Sequence, residues 1–235
     1  MAVTINGNGT ITGIAVGGLP DGIVDNGTMA DDAIAIADLA ATGTASSTTF
    51  LRGDNSWQEA GGGMHTQIGS TQTLSGQSSC NFESGFTSTY KTYLIRLENI
   101  TMSTNYSNTY CRVGTGGTPT YQTGSVYQWH GDRMRGSSGT HEHYNWNVGT
   151  YIKISDKGAE PPLSESSANF DIYIYNPAST TTRTLFRSVG ITHDSTDDWH
   201  HESGGAYKAT TAVTAIKLYP TAGTFSGTFK LYGLN

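Results

Sequence analysis

Thr140-His141-Glu142-His143 sets two imidazoles two residues apart. On an extended strand that spacing puts both rings on one face. A pair of this kind suits iron, nickel or zinc. The competing reading is a solvent-facing polar strand end, and we assign no metal and no cofactor. His200-His201 with Asp197 and Asp198 forms a second cluster. Neighbours on an extended chain point opposite ways, so these two imidazoles chelate poorly. Glycosidic catalysis would need two carboxylates at a defined separation. Asp132, Glu142, Glu165, Asp171 and Asp198 are available, but no local pattern singles out two of them. No serine, cysteine or metal-hydrolase motif occurs. The expectation is a protein that is not an enzyme.

Three aromatic and polar segments, read as loops, are better suited to adhesion. Residues 127–133, 144–147 and 197–202 mix flat rings with planar amides and charges. Sugars are bound by such sets, a ring covering the apolar sugar face while Asp, Asn or Arg takes the hydroxyls. The candidate receptor-binding residues are Trp129, Asp132, Arg133, Trp146, Trp199 and His200. Trp129 and Trp146 also read as sandwich core. Trp199, flanked by charge, is expected to be the most exposed of the three.

These residues must be positioned by strands. Thr92 to Ile100 alternates at period two, with Tyr93, Ile95, Leu97 and Asn99 on one face and Leu94 and Arg96 on the other. Similar runs fall at 110–114, 125–129, 142–146, 151–154, 168–175, 184–191, 215–219 and 227–232. Turn signals separate nearly all of them. Many short strands of this kind mean a β-sandwich or barrel.

Composition agrees. Hydrophobic residues make up 35% of the 235 and charged residues only 14%, the balance being largely Gly, Thr, Ser and Asn. Thirteen tyrosines and seven phenylalanines favour strand over helix. The formal net charge of -6 and the lack of any basic run argue against nucleic acid as a partner. No stretch approaches the roughly 20 apolar residues of a membrane span, and the opening MAVTINGNGTITG has no secretory signal pattern. We therefore expect no membrane insertion. Cys80 and Cys111 do not make a disulfide scaffold, and reduced core thiols are expected.

The chain divides by texture into residues 1–63, small and nearly free of aromatics, and residues 64–235. Residues 3–14 read as a short hairpin or extended strands. Thr28 is a candidate N-cap for a short helix carrying Met29, Ala33, Ile36 and Ala40 on one stripe. Such a helix is marginal alone. Ala60-Gly61-Gly62-Gly63 reads as a flexible joint.

The run Gly43-Thr44-Ala45-Ser46-Ser47-Thr48-Thr49-Phe50-Leu51-Arg52-Gly53-Asp54-Asn55-Ser56-Trp57 resembles a junction segment that recurs in tailed-bacteriophage tail fibres and related virion proteins. Asn55-Ser56 stands where that pattern usually has Gly-Thr. The resemblance implies a homotrimer, knotted here through Phe50, Leu51 and Trp57. It also makes Arg52-Gly53-Asp54 part of the junction rather than an integrin-type tripeptide. A second resemblance covers about 140 residues. The opening around Tyr93 to Ile100, the run Asn169 to Pro177, a Gly204-Gly205-Ala206-Tyr207 turn and the closing Gly227 to Gly233 look like a jelly-roll module of phage fibre and head-decoration proteins.

Together these give an expected all-β chain. Residues 1–63 would be an extended, short-helix segment for virion attachment and trimerisation, and residues 64–235 a jelly-roll-like β-sandwich head. The expected function is a structural virion protein of a tailed phage: a trimeric tail fibre in the virion tail, assembled in the bacterial cytoplasm. It would touch other virion proteins through residues 1–63 and a host surface glycan or protein through the head. The alternative is a capsid decoration or head-fibre protein of the same fold.

Overall fold

The structure, a computed structural model, describes residues 40–59, 64–155, 167–193 and 197–235. The hairpin expected over 3–14, the helix expected from Thr28 and the joint at 60–63 lie outside the described residues. The chain divides into two compact units, Met1–Gly61 and Gly62–Asn235.

In the first unit, β1 (Thr49–Leu51) pairs antiparallel with β2 (Trp57–Glu59), Leu51 opposite Trp57. The hairpin turns through Arg52 to Ser56, and Asn55 takes a left-handed conformation at φ 58°. Asn is among the few non-glycine residues that adopt it readily. Trp57 N donates to Thr42 O at 2.8 Å, and Asn55 Nδ2 donates to Ala40 O at 2.8 Å. These bonds clamp the incoming chain against the turn.

Every regular element among the described residues is a strand. The second unit contains β3 (His65–Gln77), β4 (Cys80–Phe82), β5 (Thr92–Met102), β6 (Thr109–Thr115), β7 (Thr120–Tyr121), β8 (Tyr127–Arg135) and β9 (His141–Gly149). It continues through β10 (Ile152–Lys153), β11 (Ala168–Tyr175), β12 (Leu185–His193), β13 (Asp198–Tyr207), β14 (Val213–Pro220) and β15 (Phe225–Leu234). One sheet has eight strands in the order β3-β15-β5-β11-β12-β13-β8-β9. The other has five, in the order β10-β6-β14-β4 with β7 on β6. Both sheets contribute to one apolar core, an arrangement consistent with a β-sandwich.

Alternation fixes which face each strand buries. In β11, Ala168, Phe170, Ile172 and Ile174 enter the core, while Asn169, Asp171, Tyr173 and Tyr175 take the other face. Tyr127 ties the two sheets together from full burial. Its hydroxyl accepts from Val113 N of β6 at 3.1 Å and donates to Gln122 O at 3.0 Å. A buried phenol needs such partners.

Three expectations are corrected. Asn99 does not share the core face of Tyr93, Ile95 and Leu97. It is exposed with φ 54°, and Ile100 is buried instead. The register shifts here against both neighbouring strands, so one extra residue bulges out and re-phases the strand. Opposite the bulge, Gly227 has φ 139°, and a Cβ there would lie 2.5 Å from Ile100 Cδ1 and 2.9 Å from Asn99 O.

Gly204 to Tyr207 is not a turn but the end of β13, paired with β12 on one side and β8 on the other. Glycine is needed there because a Cβ on Gly205 would lie 2.9 Å from Gln128 O. Lastly, His65–Gln77 is a long strand where none was read. It is a sheet edge that sends only Ile68 and Leu74 to the core, so its apolar signal is faint.

Candidate functional site

The three segments read as adhesive loops are strands β8, β9 and β13, and they lie side by side in the order β13-β8-β9. Tertiary pairing therefore brings the candidate residues together. The pleat then divides them between two faces, because residues directly opposite each other share a face.

Trp129 is 5% exposed in the core, and Trp199 is 4% exposed. The expectation that Trp199 is the most exposed of the three tryptophans is overturned. It stands in phase with buried His201 and Ser203, and the Arg133 and Arg135 guanidinium groups lie 5.0 and 5.4 Å from its ring centre. Trp146 is the exposed one at 56%. It pairs with Trp129 but sits on edge strand β9, and its Nε1 donates to Val148 O at 2.7 Å. Arg133 points inward too, and its Nε donates to Glu142 Oε2 at 3.0 Å. Trp129, Trp199 and Arg133 therefore do not present a surface to a receptor.

Asp132 and His200 take the opposite, outward face of the eight-stranded sheet. His143 stands directly across from Asp132, and His143 Nδ1 contacts Asp132 Oδ1. His141 shares that face, as its two-residue spacing requires, with Nε2 at 4.0 Å from the same oxygen. No group of three or more His, Cys, Asp or Glu among the described residues is arranged to hold a metal. His200 and His201 point opposite ways. His200 is exposed, and His201 is buried with Nε2 at 2.9 Å from Thr192 Oγ1.

The outward face carries a network that sequence reasoning missed. Arg96 of β5 makes a two-pronged contact with Asp171 of β11, both bonds at 2.8 Å. Arg187 of β12 donates to Glu202 of β13 at 3.0 and 2.9 Å, and Lys230 of β15 donates to Glu98 of β5 at 2.7 Å. His193 Nδ1 lies 2.7 Å from Asp198 Oδ1. Arg96 holds its proton more tightly than usual, chiefly because of the Asp171 bond. The only trace of these pairs in the sequence is charge inside strand-like runs. Which charge meets which depends on register.

Three clefts line this face along β12 and β13. One of about 370 Å³ lies among Tyr175, Leu185, His130, Gly204 and Ala206. The next, about 360 Å³, lies among His130, Asp132, Arg187, Glu202 and Gly204. A third of about 480 Å³ is lined by Arg96, Asn169, Asp171, Val189, Ile191 and His200. Leu185, beside the first cleft, and Ile191, beside the third, are 48% and 50% exposed. Gly204 has no side chain, which leaves the floor low where the first two clefts meet.

The carboxylates considered for catalysis do not form a pair. Asp171 is held by Arg96, Asp198 by His193, and Glu142 by Arg133 on the inward face, opposite to Asp132. Glu165 lies outside the described residues. In the first unit, Phe50 and Leu51 are 48% and 39% exposed, and Trp57 is half-buried. No protein family, curated protein or solved structure matches this chain.

Proposed function

We propose that the chain is a structural virion protein of a tailed phage, a trimeric tail fibre whose jelly-roll-type head adheres to the host surface without catalysis. The observation that carries the reading is the hairpin of residues 49–59. It exposes Phe50 and Leu51 on strands three residues long. Two short strands are at best marginally stable in water. Apolar side chains on so small a unit gain burial when further chains cover them. This fits the resemblance of Gly43 to Trp57 to a fibre junction.

The outward sheet face supports the adhesive part. It combines exposed Leu185 and Ile191 with an ordered set of polar groups and three clefts. Three heads per fibre, and several fibres per particle, raise effective concentration and make weak single contacts sufficient.

The test is the mass of the full-length protein by light scattering, beside a fragment beginning at Met64. A full-length trimer with a smaller fragment species is the expected result. Monomers in both cases would remove the fibre reading in favour of a capsid decoration protein.

A further inference from the structure

The ion pairs of the outward face narrow what it could hold. Each carboxylate on the described strands of this face already has a basic partner: Glu98 with Lys230, Asp171 with Arg96, Glu202 with Arg187, Asp132 with His143 and Asp198 with His193. Conversely, Arg96, Arg187 and Lys230 are each committed to a carboxylate. A ligand charge would have to compete with one of these pairs or settle for the imidazoles of His130 and His200, which line the clefts outside them. A hydroxyl would not, because a carboxylate still has lone pairs and a guanidinium still has N–H groups to offer.

The clefts also set a shape. The first two share His130 and Gly204. Glu202 of the second lies across the ladder from Val189 of the third, so these two are neighbours on the sheet. Leu185 to Ile191 spans six residue steps, roughly 20 Å of strand at about 3.3 Å each. Exposed Leu185, Ile191 and Met134, with half-buried Tyr173 and Tyr175, supply apolar surface between the polar groups. Alternating apolar patches and hydroxyl-binding pairs match a chain of pyranose rings, which show apolar faces and hydroxyl edges.

We infer that this groove binds an extended, uncharged polysaccharide segment along β12 and β13. The inference rests on the adhesion reading above and narrows it to a ligand class.

The experiment uses full-length protein on an array of bacterial surface polysaccharides, neutral and anionic, at low and high salt. The expected result is binding to neutral polymers, stronger for longer chains and little changed by salt, since screening acts on net charge. Gly204→Val fills the groove floor. The nearest atoms to its Cβ would be the exposed His130 ring at 3.2 Å, which can swing aside, and then Phe186 O at 3.7 Å, so the fold should survive. It should weaken binding by about tenfold or more, as loss of a central contact does. Leu185→Asn, at an exposed position, should weaken it by a smaller factor.

Salt-sensitive binding to anionic polymers alone would overturn the inference and leave adhesion standing. Binding to no polymer, with whole host cells still bound, would overturn the inference and leave adhesion to a surface protein; binding to neither polymer nor cells would overturn both. A change of oligomeric state in Gly204→Val would make the face a contact between copies of this chain and overturn the inference.

Discussion

Cys80 and Cys111 lie on either side of Leu218. Leu218 of β14 pairs with Cys80 of β4 on one side and Cys111 of β6 on the other. Two strand spacings separate them, about 9.5 Å, beyond the reach of a disulfide. Both thiols are buried. Burial pushes Cys80 up to about 12 and Cys111 further still. Neither should react with a thiol reagent at neutral pH in the folded protein, and both should react in denaturant. Rapid labelling of either thiol in the native state would refute this arrangement.

Acid should weaken the β8–β13 end of the sheet through Asp197. Its carboxylate is held down at about 2, chiefly by the Ser137 hydroxyl, then by Arg135 and the amides of Ser137 and Asp198. The folded value is below the ordinary one, so the unfolded chain takes the proton first. The contribution is complete above about pH 4 and is lost as pH falls through about 2. Thermal unfolding across that window should show a drop that Asp197→Asn reduces. An equal drop in both proteins would assign the effect elsewhere.

Truncating the last strand should be severe. β15 lies between β3 and β5 and buries Phe225, Phe229 and Leu231. Phe229→Ala should cost about 3–5 kcal/mol, read from the denaturation midpoint. Removal of residues 225–235 should give insoluble or unfolded protein. A soluble, cooperatively unfolding truncation would contradict this placement.

The pleat separates stability from binding within one segment. Trp199→Ala should lower stability by about 3–5 kcal/mol, since it empties a buried site. Asp132→Ala and His200→Ala, on the outward face, should stay within about 1 kcal/mol of the parent protein. Chemical denaturation of the three variants checks the division. Equal losses in all three would mean that the faces are assigned wrongly.

Much of the strand pattern was legible. Residues 168–175 alternate cleanly because one face is core, and the closing Phe and Leu positions mark an interior strand for the same reason. The adhesive segments were legible by composition but not by face. Residues 197–202 carry no apolar alternation, so charge around Trp199 read as exposure. Its burial comes from arginines of β8, more than sixty residues earlier in the chain. The bulge at Asn99 was hidden because a single inserted residue keeps the same composition while reversing the phase.

By itself the sequence determined the all-β class, the positions of most strands, the shared face of His141 and His143 and the opposite faces of His200 and His201. These follow from local period-two geometry, which needs no partner strand. Only the tertiary structure decided strand order, and with it the Arg96–Asp171 and Arg187–Glu202 pairs, the groove along β12 and β13, and that Trp129, Arg133 and Trp199 share the inward face while Asp132 and His200 share the outward one. Those depend on register between distant strands, which is set by how the whole core closes.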